Sequence, residues 1–172
     1  VEAFCEKLRM EYESELMDAD VLFRIECRCP QEQIICNWEH MRRFFGNLIG
    51  NSIQHARAGH LELRLRCCRE GEQVVFLFWD NGKGVPPELL QQIFEPLYTT
   101  DPGRKVSGLG LPICKSIMKA HGGTVGAESG PEGGLLVRAA GKCRAEKRTG
   151  RGGPSPGRCQ AKENDTSSRS ML

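Results

Sequence analysis

A run of apolar residues from Val74 to Trp79 (VVFLFW) empties directly into Asp80-Asn81-Gly82-Lys83-Gly84, and this junction constrains the chain more than any other stretch. The run reads as a buried strand. Gly82 and Gly84 after it permit positive φ and close approach of a ligand to bare backbone. An acidic side chain fixed at a strand end beside such backbone suits the exocyclic amine of a purine. Further on, Gly108-Leu109-Gly110-Leu111 runs straight into PICKSIMKA, which has a helical pattern. Glycines opening a helix leave unpaired N–H groups and the positive dipole end available to phosphate oxygens. A place for a base and a place for a polyphosphate, joined by one segment, outline a nucleotide pocket.

Upstream, Asn47 and Asn51 sit four residues apart in an apolar helical pattern, NLIGN, so both project from one face. Amides on a buried helix face need partners. A hydrated magnesium ion and its phosphates supply them, because magnesium prefers oxygen ligands and keeps several waters. Each motif alone is weak, since D-x-G-x-G also occurs as an ordinary tight turn. Their order and spacing together are not.

The rest of the chain supplies the frame. Residues 2–18 place Phe4, Leu8, Tyr12 and Leu16 four apart, which predicts a helix with one apolar stripe. Val21–Cys27 alternates as a half-buried strand, and a turn at Cys29–Glu32 leads to a short return strand over Gln33–Cys36. A second helix is expected over Trp38–Ala58. His60–Arg69 alternates with Leu61, Leu63, Leu65 and Cys67 on one face, and forms a hairpin with Val74–Trp79. Pro86-Pro87-Glu88 starts a short helix, and Phe94–Ser107 reads as a flexible lid. A third long helix covers about Leu109–Ala120, stopped by His121-Gly122-Gly123, with His121 as a structural end. Strands at Thr124–Glu128 and Leu135–Ala139 finish the domain. Helices separated by pairs of strands, without βαβ alternation, predict an α+β two-layer sandwich: three main helices on one face of a mixed, mainly antiparallel sheet.

Residues 1–140 form this domain, and residues 141–172 are a basic tail containing Gly, Ser and Pro. The tail holds eight Lys/Arg against three Asp/Glu, so it carries +5 of the net +2 and the body carries −3. Its composition cannot offset the entropy of ordering, so it is expected to be disordered. The acidic body gives no reason to expect nucleic acid. No run of roughly 18 or more apolar residues predicts a membrane span, and no signal peptide is visible. An odd cysteine count of nine without one favours reduced thiols in the cytoplasm. Cys27-x-Cys29 and Cys67-Cys68 lack zinc-ribbon spacing, so the cysteines read as small core residues or bystanders.

Taken together, NLIGNSIQHA, DNGKGVP, IFEPLYTT and SGLGL resemble the N, G1, F and G2 boxes of bacterial sensor histidine kinases. These boxes define an ATP-binding domain shared with gyrase, the heat-shock chaperone and mismatch-repair ATPases, and the resemblance covers roughly residues 1–139. It implies that Asp80 accepts the adenine amino group, with Gly82, Gly84 and Val85 shaping the floor under the ring. Asn51 is the implied magnesium ligand, with Asn47 beside the phosphates; both are the implied catalytic residues. His55 matches a position near the nucleotide, although a surface or capping histidine fits as well. Phe94 and Tyr98 anchor the lid or simply pack in the core. Thr99 and Thr100 belong to the same box, and Arg104 and Lys105 contact phosphate or stay solvated. Gly108 and Gly110 present backbone N–H groups to phosphate, and Leu109 and Leu111 pack beneath the lid.

Where hydrolytic members of that superfamily carry a glutamate that orients water, this chain has Asn47, and an amide is no general base. Phosphoryl transfer needs chiefly positioning and charge neutralisation. The implied function is the ATP- and magnesium-dependent catalytic domain of a cytoplasmic two-component sensor histidine kinase. Its γ-phosphoryl group goes to a histidine on a dimerisation domain, then to a response regulator. None of His40, His55, His60 and His121 has the acceptor context, so the chain is expected to be the catalytic half, without its acceptor. The rival is a non-catalytic nucleotide-binding or interaction module derived from such a kinase. Leu135, following Gly133-Gly134 where the family has a threonine, is expected to cost Asp80 one hydrogen bond, roughly 1–2 kcal/mol of affinity.

Overall fold

The computed structural model describes residues 1–57, 59–96 and 108–144. Three helices, α1 (Glu2–Asp18), α2 (Trp38–Gln54) and α3 (Gly110–Ala120), accompany five strands. These are β1 (Val21–Cys27), β2 (Leu61–Glu70), β3 (Gln73–Asp80), β4 (Thr124–Ser129) and β5 (Leu135–Lys142). The sheet order is β1-β2-β3-β5-β4, with β1 parallel to β2 and all other pairs antiparallel. This is the mixed, mainly antiparallel α+β sandwich that the element order predicts.

The helices bury their apolar stripes on one face of the sheet. Leu8, Tyr12 and Leu16 of α1, Phe44, Phe45 and Ile49 of α2, and Cys114 and Met118 of α3 meet Leu63, Leu65, Phe76, Phe78 and Val137 of the strands. Phe45 is fully buried and stacks edge-on against Phe44 and Phe76 at 5.1 and 5.8 Å. Truncating such a ring to alanine costs about 3–5 kcal/mol. Strand β3 is apolar on both faces for a reason visible here: Val75, Leu77 and Trp79 form a second cluster on the opposite side with Cys68, Leu136 and Ala140. There the Trp79 indole N–H donates to the Gly133 carbonyl at 2.8 Å, and Arg64 lies 4.4 Å over the ring.

Four local expectations are corrected. Residues 33–36 form no return strand; Ile34 makes a single antiparallel bridge to Cys143, and Arg144 N–H donates to Gln33 O at 2.8 Å. Asn37 caps α2 immediately afterwards through His40 N–H, leaving no length for a strand. Helix α2 stops at Gln54, not Ala58, because His55 turns out of the helix (φ −106°) and its carbonyl accepts Lys83 N–H at 3.2 Å. Strand β5 continues past Ala139 through Lys142, since Val74 and Gln73 of β3 pair with Gly141 and Lys142. Finally, Cys5, Cys27, Cys29, Cys36, Cys67, Cys114 and Cys143 are free thiols, but Cys68 is disulfide-bonded.

The short helix after the G1 turn is two successive 3-10 turns, Pro87–Leu89 and Gln92–Phe94. His121 ends α3 as expected and does more. Its Nδ1 lies 2.8 Å from the Ile117 carbonyl, and its Nε2 accepts Asn37 N–H at 3.0 Å, tying the end of α3 to the start of α2. Among the described residues, no helix is long and apolar enough to cross a membrane.

Candidate functional site

The end of β3, the C-terminal half of α2 and the N-terminus of α3 converge on one cavity of about 410 Å³. Asp80 stands at its inner wall, 6% exposed. The strand ends there because the Gly133-Gly134 turn lies against its backbone: a Cβ on Gly134, whose φ is +73°, would fall 1.8 Å from the Asp80 carbonyl oxygen. Gly84, with φ +70°, presses in turn on the Gly134 carbonyl, where an added Cβ would sit at 3.0 Å. Asn81 pins the same turn to β2. Its side chain accepts Glu62 N–H at 2.9 Å and donates to the His60 carbonyl at 3.0 Å.

Both Asp80 oxygens are oriented by the protein. Oδ1 accepts Gly82 N–H at 2.9 Å and Leu135 N–H at 3.3 Å, and Oδ2 lies 2.8 Å from the Ser52 hydroxyl. Ser52 is 3% exposed and also lies 3.1 Å from the Leu48 carbonyl one turn back; its shorter contact is to the carboxylate. The threonine hydroxyl missing at position 135 is therefore not a missing partner. The backbone of Leu135 itself donates to Asp80, and α2 supplies the hydroxyl.

Asn47 and Asn51 line the cavity from one face of α2, as their spacing predicts. The Asn47 amide nitrogen is buried without a hydrogen-bond partner, the one such side-chain atom among the described residues. Its Oδ1 faces Gly110, where an added Cβ would lie 3.7 Å away. A buried N–H₂ group left unpaired is costly unless a ligand supplies an acceptor. Cys114, deeper under α3, is inert by comparison, because burial pushes its thiol up to about 12.

Gly108, with φ +98°, and Gly110 bring the chain into α3 along the cavity edge. The cap residue is Leu109, whose side chain makes no capping hydrogen bond to the first turn of α3. The first-turn N–H donors, at the positive end of the helix, suit an anion. Leu109 is 47% exposed at the rim and Leu111 is 8% exposed beneath it.

His55, Asp80, Gly84 and Val85 also line the cavity. Gly82 is buried behind it and acts on Asp80 through its N–H. Phe94 is packed in the core, and its neighbour Ile93 faces the cavity instead. Tyr98, Thr99, Thr100, Arg104 and Lys105 lie outside the described residues. Sequence reasoning passed over Ser52, Lys83 and Gln54, which also contribute to the lining. Ser52 carried a usable signal. It falls one helical turn after Leu48, on the buried face, where a hydroxyl needs a partner.

Comparison with known proteins gives a consistent result. Residues 36–142 match the family model described as histidine kinase-, DNA gyrase B- and HSP90-like ATPase. The chain is 38% identical to the sensor histidine kinase GtrS of Pseudomonas aeruginosa over 98 residues, covering 56% of this chain and 20% of GtrS. It is 35% identical to the sensor protein IrlS of Burkholderia pseudomallei over 133 residues, covering 75% of this chain and 28% of IrlS. The chain thus spans little more than a quarter of either relative at most. The catalytic domain of the histidine kinase ThkA superposes with a TM-score of 0.70 at 22% identity, over 81% of this chain and 90% of that one. At that identity the likeness speaks for the fold.

Proposed function

The chain belongs to the family of histidine kinase-, DNA gyrase B- and HSP90-like ATPases, and from that membership we propose that it is the catalytic domain of a sensor histidine kinase. In this reading it binds ATP with magnesium and donates the γ-phosphoryl group to a histidine on a separate dimerisation domain, which passes it to a response-regulator aspartate. The observation that carries the proposal is the polarity of the cavity: an oriented acceptor, Asp80, at one end, and donors at the other, namely the unpartnered Asn47 Nδ2 and the N-terminus of α3, whose cap residue Leu109 offers no capping side chain. A base bearing an amine and a chain of phosphates match that order.

Each residue then has a role that follows from its chemistry. Asp80 accepts from the adenine amino group, and the backbone at Gly84 and Val85 admits the ring. Asn47 Nδ2 is a donor, so it suits a phosphate oxygen and not a cation. Asn51, through its amide oxygen, is left to hold magnesium, which neutralises charge on the phosphates when bound. Gly108 and Gly110 give N–H groups to the same phosphates. Asn47 stands where a water-activating carboxylate would favour hydrolysis, so the γ-phosphoryl group waits for a nucleophile from another domain. The cytoplasm, where ATP and response regulators are found, is the proposed location.

The test is transfer in trans. The chain is mixed with labelled Mg-ATP and a separately produced dimerisation domain of a sensor kinase. Acid-labile, base-stable label on that domain supports the proposal. Nucleotide binding without transfer to any such domain favours the rival reading, a nucleotide-binding module that regulates a partner.

A further inference from the structure

Three thiols unconnected with the nucleotide cavity meet where α1 crosses the start of the sheet. Cys5, in the first turns of α1, has its Sγ 3.5 Å from Sγ of Cys67 on β2, and both residues are buried. Cys27 on β1 is the register partner of Cys67 and is half-buried. The contact joins residues 62 apart in the chain, so it is a product of the fold and not of sequence proximity. Sulfur atoms at this separation need to close only to about 2.0 Å to bond.

We propose that Cys5 and Cys67 form a redox-responsive pair that hydrogen peroxide converts into a disulfide tying α1 to β2. The Cys5 thiolate attacks the peroxide; an S–O bond forms, the O–O bond breaks, and the departing oxygen leaves as water after taking one proton. The Cys67 sulfur then attacks the Cys5 sulfenic sulfur; the S–S bond forms, the S–O bond breaks, and a second water leaves with the Cys67 proton. Two thiols lose two electrons in total, and one peroxide gains them.

The surroundings favour Cys5 as the attacking group. The hydrogen bond with Cys67 is the largest influence lowering the Cys5 thiol, while burial works against it. The same bond, with burial, pushes Cys67 upwards. Cys27, Cys29, Cys36, Cys114 and Cys143 are all raised, with burial as the leading cause in each. Peroxides select thiolate character and access, and Cys5 keeps 4% exposure where Cys67 has none. Once Cys5 is oxidised its negative charge is gone, and the charge that raised Cys67 goes with it.

The test is peptide mapping of the full chain. Reduced protein is treated with stoichiometric hydrogen peroxide, alkylated and digested with trypsin without reductant. The result expected is residues 1–7 joined to residues 67–69, reversed by dithiothreitol. Because Cys68 lies in the same peptide, the assay is repeated on Cys68→Ser, where the link persists, and on Cys67→Ser, where it is lost. A link that survives in Cys67→Ser, or vanishes in Cys68→Ser, overturns the assignment. So does a Cys5–Cys27 bond, Cys5 driven to sulfinic acid without a link, or no reaction of Cys5 in the wild-type chain. If Cys67→Ser fails to fold, the wild type and Cys68→Ser decide the question alone.

Discussion

The hydroxyl of Ser52 lies 2.8 Å from Oδ2 of Asp80, so the helix that carries both cavity asparagines also fixes the carboxylate on the neighbouring strand. In the proposed reading, α2 thereby links the base site to the phosphate site, and a shift of this helix would disturb both. The Gly82 and Leu135 N–H groups hold the other oxygen, leaving Asp80 little rotational freedom. Preorganisation of this kind lowers the ordering cost of binding.

Ser52→Ala should therefore weaken nucleotide binding without unfolding the chain. Losing one hydrogen bond to a charged group is worth about 1.5–3 kcal/mol, or roughly 10- to 100-fold in Kd. Calorimetric titration with a non-hydrolysable ATP analogue measures it. Far-ultraviolet circular dichroism should be unchanged.

Asn47→Asp should separate phosphate recognition from base recognition. It replaces the unpartnered donor with a negative charge facing phosphate. Affinity for ATP should fall by at least about 10-fold, from one lost hydrogen bond to a charged group. Affinity for adenosine, which has no phosphate, should hardly change. Parallel titrations with the two ligands make the comparison.

How much of this was legible beforehand depended on the range of the interaction. Asp80, Asn47, Asn51 and the two glycine motifs stood out because their chemistry is written in short spacings, and β3 stood out because both of its faces are apolar. The end of α2 did not. Ile53 and Ala56 continue an apolar pattern, while the His55 carbonyl accepts the N–H of Lys83, a residue of the G1 turn distant in sequence. Gly141 looked like the start of a solvated tail by composition, yet the β3 ladder extends to it. The false strand at residues 33–36 has the same origin. Its partner, Cys143, lies at the far end of the domain. Leu135 misled in another way: its side chain lacks the expected hydroxyl, but its backbone N–H reaches Asp80, and residue identity does not report on backbone donors.

Gly134→Ala should be severely destabilising. The added Cβ would fall 1.8 Å from the Asp80 carbonyl oxygen at a residue with φ +73°, so clash and backbone strain combine. A cost of about 3 kcal/mol or more is expected. Thermal unfolding measures it, and Gly141→Ala, with open space around the site, is the neutral comparison.

Tyr12 couples stability to alkaline pH. Burial pushes its phenol up to about 12, and its hydroxyl donates to the Arg42 carbonyl at 2.6 Å. The folded chain therefore keeps the phenolic proton where the unfolded chain has begun to lose it. Its contribution is complete below about pH 10, the ordinary tyrosine value, and is lost as pH rises toward 12. Tyr12→Phe should cost about 1 kcal/mol at neutral pH. It should also flatten the alkaline limb of a denaturant-midpoint series relative to wild type.

The most direct measurement is calorimetric titration of the chain with a non-hydrolysable ATP analogue, with and without magnesium, beside Asp80→Asn. That substitution puts an N–H₂ donor where the account requires an acceptor. Magnesium-enhanced binding by the wild type, weakened about 10- to 100-fold in a folded Asp80→Asn, is the result predicted. Failure of the folded wild type to bind, or equal binding by Asp80→Asn, would contradict the nucleotide site at its centre.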